Sequence, residues 1–262
     1  MKRVRLQKYL TLVLTGILLL PLAPLGLWSF ANRWQYPQSF PQAIGLKGWG
    51  NFFSTGGASA IAHSMLIGFF VVVVVVPLSF IAAQVITQSR GRAIRVAEGI
   101  LFLPVFLPPF VLVMGVTTGS IAINIPAEMA VVATLSVLAM PYATFIFRSA
   151  FLNYGTAWEE EGELLGANNL QLLIKVRLPM LHNSILAASL IAFLIGWSDY
   201  IVTLIVGGGQ ILTLPLLIGA SSSEPGNDSA LAVMSIVSIA IPALVVGVLH
   251  VITKKENKLM PA

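Results

Sequence analysis

From residue 61 to residue 87 the chain carries no Asp, Glu, Lys or Arg, and residues 71–76 are six consecutive valines. A helix rises about 1.5 Å per residue, so about 20 apolar residues cross a hydrocarbon core roughly 30 Å thick. Lipid offers no partner to a bare N–H or C=O, and a barrel strand would alternate in polarity instead of running apolar, so the backbone here must be helical. Five more stretches read the same way: 9–31, 97–119, 127–147, 185–206 and 230–253. Composition agrees, since only 10% of residues are charged against about 25% in a soluble chain. The expected fold class is all-α: a polytopic membrane protein with six transmembrane helices, residues 1–262 forming a single transmembrane domain.

The basic residues set the orientation. With the N-terminus in the cytoplasm, Lys2, Arg3, Arg5, Lys8, Arg90, Arg92, Arg95, Arg148, Lys175, Arg177, Lys254, Lys255 and Lys258 fall inside, and only Arg33 and Lys47 fall outside. Both termini are therefore expected in the cytoplasm. Trp28, Trp34, Tyr36, Trp49, Phe52 and Phe53 then gather at the outer interface as an aromatic belt. The net charge of +5 is spent on these short runs, which argues against nucleic-acid binding. The first span follows a basic stretch, as a secretory signal would, but it continues past Pro21 and Pro24 and Leu22-Ala23-Pro24 is a poor cleavage site, so it is read as retained.

Outside the spans, residues 32–60 and 207–229 read as outer loops rich in Gly, Pro and Ser. The one sizeable cytoplasmic segment is 148–184. Four acids, Glu159, Glu160, Glu161 and Glu163, break its apolar pattern and suit a helix N-terminus, Gly166 allows a turn, and Leu170, Leu172, Leu173 and Ile174 give a second short helix an apolar side. Pro179 limits continuity into the fifth span. A paired-helix knob with exposed leucines is a docking device.

Residues 160–166 read Glu-Glu-Gly-Glu-Leu-Leu-Gly, and after nine residues come Val176-Arg177-Leu178-Pro179. This spacing resembles the cytoplasmic "EAA" loop of binding-protein-dependent ABC importer permeases: Glu-Ala-Ala, three residues, Gly, nine residues, an aliphatic residue, one more, Leu-Pro. Glu160, Gly166, Val176, Leu178 and Pro179 match position by position. Glu161 and Gly162 replace the two alanines, and Asn183 stands where the family often has a second proline.

The resemblance implies a type I ABC importer permease in a bacterial plasma membrane, one half of a substrate pathway. It implies as partners two ABC ATPase subunits seated at Glu160, Glu161, Gly162, Gly166, Val176, Leu178 and Pro179, a second permease of a different chain, an extracytoplasmic substrate-binding protein and membrane lipid. ATP and Mg would be held by the ATPase subunits, with no cofactor on this chain. No GxxxxGK[ST] loop is present to cradle phosphates, so the chain is not an enzyme in its own right. Residues 206–210, Val-Gly-Gly-Gly-Gln, read as an outer turn.

One acid lies deep in an apolar span, Asp199 within Trp197-Ser198-Asp199-Tyr200. An Asp near mid-bilayer costs roughly 2.5 to 3.5 kcal/mol, so it is expected to face a bundle interior or a water-filled cavity. Pro104, Pro108 and Pro109 interrupt the third span and free backbone carbonyls where protein or cavity must compensate. Both stretches resemble the permease subgroup for polyamines, iron, thiamine and aminoalkylphosphonates more than the sugar subgroup. A polyamine or similar small cation suits an acid beside aromatic rings. His63, His182 and His250 have no metal-site spacing. The rival class is a stand-alone secondary transporter or channel, which would not require the Glu160 to Pro179 register.

Overall fold

The structure, a computed structural model, describes residues 2–35, 37–154, 157–223 and 228–256. Tyr36 and Lys258, two residues of the topology reading, lie outside the described residues. In chain order, α1 (Lys2–Leu19) and α2 (Leu22–Ser29) precede β1 (Ala31–Arg33), β2 (Ala43–Ile44) and α3 (Lys47–Ser54). Then come α4 (Gly57–Gln88), α5 (Arg92–Phe106), α6 (Pro109–Ala122) and α7 (Ala127–Tyr154). The shorter α8 (Ala157–Leu164), α9 (Asn169–Leu172), a π-helical turn at Leu173–Arg177 and α10 (Leu178–Met180) lead into α11 (His182–Ser198). The chain ends through α12 (Ile201–Ile205), α13 (Leu214–Ser222) and α14 (Asp228–Glu256).

Three helices are continuous and apolar enough to cross a bilayer: Gly57–Gln88, Ala127–Tyr154 and Asp228–Leu249. Three bent pairs bring the candidate spans to six if each pair is one crossing. The first span is thus two helices, broken where Pro21 precedes α2. The third bends by 106° between α5 and α6. Leu107 and Pro108 are both extended, with ψ of 139° and 129°, because each precedes a proline whose Cδ disfavours the helical region. Pro109 then opens α6, where its missing N–H costs no hydrogen bond. Pro104 corrects the sequence reading: it lies inside α5 and does not interrupt it.

The fifth span also differs from its expected limits. Its apolar helix α11 runs from His182 to Ser198, bent by 74° from the preceding Asn169–Met180, and helix resumes after Asp199 and Tyr200 as the five-residue α12. Asp199 is extended, and its carboxylate accepts from the Thr203 N–H, offering the backbone an alternative to the continuous helix ladder. The protein is mostly helical, with one short β1–β2 pair, and the stretches expected as loops contain α3 and α13.

Two compact units are present. One comprises residues up to Ile61 with Leu214–Ile241. Within it β1 and β2 pair antiparallel, Ala31 opposite Ile44, and Asn32 Oδ1 accepts from the Lys47 N–H at 3.0 Å to cap α3. Trp28 and Trp34 stack with centroids 4.7 Å apart.

The other unit comprises Ala62–Thr213 and the chain from Pro242 onward. Here α7 packs along α11, the two helices contributing the buried small residues Ala130, Ala139, Ala143, Ala188 and Ala192. Small side chains let backbones approach, which is how helices associate where lipid removes the hydrophobic drive. α4 also meets α11 at one close approach: a Cβ on Gly196 would lie 2.7 Å from the Gly68 Cα. Phe80 packs edge-on to Phe147 and Phe151, with centroids 5.5 and 5.2 Å away, at the end of α7 that leads into α8.

Candidate functional site

The segment from Arg148 to Ser184 is built from local chemistry. Arg148, on α7, donates to Glu98 Oε1 on α5 and joins those helices. α7 continues to Tyr154, beyond the sequence-based limit. Glu159 and Glu160 lie in the first turn of α8, where the helix dipole favours negative charge. α8 ends at a left-handed Gly166, φ +83°. Its N–H donates to Glu163 O at 2.9 Å and the Ala167 N–H to Gly162 O at 3.0 Å, the paired bonds of a Schellman cap. Asn168 restarts the chain with a capping box: its Oδ1 accepts from the Gln171 N–H, and Gln171 Oε1 accepts from the Asn168 N–H. Two short helices thus flank Gly166, as the residue pattern implies. Pro179 supplies no N–H to the carbonyl of Lys175, and the turn before it is widened to π geometry.

Two contacts close this hairpin. A Cβ on Gly162 would lie 2.6 Å from Leu172 Cδ2, so the glycine in place of the family's alanine lets fully buried Leu172 seat against the α8 backbone. Arg177 then grips Glu159 with two bonds, Nε to Oε1 and Nη2 to Oε2, each 2.6 Å. Both side chains are largely covered, at 18% and 13% exposure. The planar guanidinium matches the carboxylate fork. The Glu159 bond, above all, holds the Arg177 pKa above its usual value, so it stays charged. Tyr154, the last residue of α7, has its hydroxyl enclosed.

The knob presents an apolar tip. Leu164 and Leu165 are 88% and 83% exposed, and Leu170, Ile174 and Met180 are also open. Glu160, Glu161, Leu178 and Pro179 are exposed, and Gly162 and Val176 are half-buried. A cleft of about 760 Å³ runs beside the knob, between Pro77, Phe80 and Gln84 of α4 and Leu170, Leu173 and Arg177.

The residues proposed for the pathway are dispersed differently. Trp197 is buried and stacks on Phe193. Ser198 donates back to Leu194 O, Asp199 Oδ1 accepts from both the N–H (3.0 Å) and the hydroxyl (3.3 Å) of Thr203, and Tyr200 is exposed. α12 packs against α6, so the break at Asp199 and the one at Pro108 and Pro109 feed into adjoining helices. Residues 206–210 form a turn with left-handed Gly208 and Gly209.

Sequence reasoning missed the Glu159–Arg177 clamp. The two charges are 18 residues apart, with no helical spacing to announce them, and only the fold of the hairpin brings them together.

Residues 75–256 match the family described as "Binding-protein-dependent transport system inner membrane component". Over 202 residues the chain is 23% identical to the spermidine/putrescine transport system permease protein PotC of Haemophilus influenzae, covering 76% of this chain and 77% of that one. It is 28% identical over 182 residues to the molybdenum transport system permease protein ModB of Mycobacterium tuberculosis, covering 63% and 69%. In fold it is similar to a chain in the crystal structure of a bacterial ABC transporter involved in the import of the acidic polysaccharide alginate, with a TM-score of 0.71, 17% identity, and 95% and 97% of the two chains covered.

Proposed function

The chain belongs to the binding-protein-dependent transport system inner membrane component family, and from that premise we propose that the knob closed by Glu159 and Arg177 is the seat of an ATPase subunit. The protein is a multi-pass inner-membrane permease subunit of a bacterial ABC importer, and ATP hydrolysis resides on partner subunits. The observation that carries the docking proposal is the tip: Leu164 and Leu165 stand almost fully exposed on a hairpin held rigid by a Schellman cap, a capping box and a bidentate ion pair. Leucines so placed suit a partner that covers them. The basic residues support a reading in which both termini and this knob are cytoplasmic, and the family resemblance implies two ATPase subunits that hold ATP and Mg and a second permease of a different chain that completes the pathway. Co-expression with the ATPase tests it directly. Leu164→Glu with Leu165→Glu should abolish ATPase co-purification while the permease stays in the membrane; undiminished co-purification would remove the knob from the interface.

For cargo, the proposal is a polyamine-like small cation. A spermidine/putrescine permease is among the relatives, and Asp199 places a carboxylate at a helix break beside exposed Tyr200. Asp199→Asn keeps shape and cap, since Asn caps as well as Asp, and removes one charge. Spermidine uptake into vesicles at matched amounts of complex should fall roughly tenfold, the equivalent of about 1.4 kcal/mol. Unchanged uptake would take Asp199 out of cation recognition.

A further inference from the structure

A polar recess of about 540 Å³ lies where two candidate spans meet the bilayer surface: one ends with α2 at Ser29, and the other begins at Asp228. Both ends contribute to its lining, Trp28, Arg33, Trp34 and Gln35 on one side and Asp228 and Ser229 on the other. The strand pair shapes the first side. The Gln42 N–H donates to Arg33 O at 2.9 Å, Gln35 and Gln42 exchange side-chain and backbone bonds, and Trp34 Nε1 donates to Gln38 O at 2.9 Å. Trp34 stacks on Trp28, both rings half-buried. The second side is joined to the first through α3, which Asn32 of β1 caps: a Cβ on Gly48 would lie 2.7 Å from Ser229 O. Arg33 and Asp228 therefore bring opposite charges to one recess, and among the described residues neither has an ion-pair partner. Arg33 Nη2 donates to Gln35 Oε1 at 3.2 Å, which leaves other N–H groups of the guanidinium fork to a ligand.

We propose that this recess holds the headgroup of a phosphatidylethanolamine molecule, its phosphate oxygens accepting from Arg33 and its primary ammonium donating to Asp228. Span ends are the level at which headgroups lie, and a stacked Trp pair belongs there because indole is apolar over most of its surface and polar at one edge. The guanidinium fork matches phosphate geometry, and a carboxylate accepts strongly from an ammonium N–H. One cation with one anion suits a zwitterion; an anionic lipid without an amine would leave Asp228 facing like charge. Phosphatidylcholine carries the same two charges, but its quaternary ammonium has no N–H to give Asp228. A headgroup held here ties the ends of the first and last candidate spans to the same lipid. The site depends on neither the docking nor the cargo reading.

The test titrates the whole chain, purified in detergent, with phosphatidylethanolamine, phosphatidylcholine and phosphatidylglycerol of matched acyl chains, and counts bound lipid by native mass spectrometry. Phosphatidylethanolamine should fill one saturable site about tenfold more tightly than the other two, the worth of one charge-assisted hydrogen bond. Arg33→Gln should weaken phosphatidylethanolamine and phosphatidylcholine alike, by about tenfold, because both carry the phosphate. Asp228→Asn keeps the side chain's size and should lower phosphatidylethanolamine to the level of phosphatidylcholine, because only the ethanolamine headgroup loses a hydrogen bond to the carboxylate. A general loss of structure would weaken all three lipids without closing that gap. The proposal is overturned by a parent with no preference for phosphatidylethanolamine, by a preference that survives Asp228→Asn, or by Arg33→Gln binding as the parent does. Inorganic phosphate that displaces the lipid at equal concentration also overturns it, since the recess would then be a simple anion site. The parent's headgroup preference decides the matter even where a variant fails to fold.

Discussion

Gly166→Pro should leave the protein in the membrane at its normal level and abolish ATP hydrolysis coupled to it. The position needs φ of +83°, and proline is held near −65°. Proline also lacks the N–H that Gly166 donates to Glu163 O, and with the turn reoriented the Ala167 bond to Gly162 O is lost as well. Losing a bond and forcing the wrong dihedral costs about 3 kcal/mol, enough to open the last turn of an eight-residue helix. Gly166→Ala keeps the N–H and should show a partial defect, since the left-handed region costs an L-residue roughly 1–2 kcal/mol. Membrane insertion is indifferent to both changes, because residue 166 lies outside every candidate span. The measurement is permease abundance in membranes beside ATPase activity of the assembled complex. Normal activity in the proline variant would show that the turn has no part in coupling.

Arg177→Gln and Glu159→Gln should each loosen the knob by about 3 kcal/mol, the lower end of the cost of breaking a buried pair, because each leaves one charge or fork largely covered and unmatched. Replacing both together, Glu159→Leu with Arg177→Met, removes the orphaned group and should return most of that stability. Proteinase K digestion of inverted vesicles, which needs neither Lys nor Arg, reads the result: the single variants are cut within residues 157–180 faster than the parent, and the double variant approaches it. Single variants as resistant as the parent would mean that the clamp contributes nothing to the hairpin.

The spans were legible because lipid imposes one rule on every backbone group it touches, and stretches such as 61–87 can obey it only as helices. The hairpin around Gly166 was legible for a different reason. Its acids, its glycine and its leucines each act on the nearest turn of chain, so their order in the sequence is their order in space. The breaks were only partly legible. Three prolines announced an interruption in the third span, but the structure bends at Pro108 and Pro109 and carries helix through Pro104. A proline preceded by helix can be absorbed as a local distortion; two in succession force the preceding residues extended.

Asp199 marks the limit of reading along the chain. Its presence in an apolar stretch was plain, but its role in ending α11 and receiving Thr203 depends on which way a carboxylate turns once the backbone is placed. The sequence by itself determined that the chain belongs in a bilayer, roughly where its candidate spans lie, and where a paired-helix hairpin forms, since all three follow from solvent and from neighbours a few residues away. Only the tertiary structure decided that Gly68 and Gly196 let α4 and α11 touch and that Glu159 reaches Arg177. Those contacts join residues far apart in the chain, and burial, which sets their strength, exists only after the helices have packed.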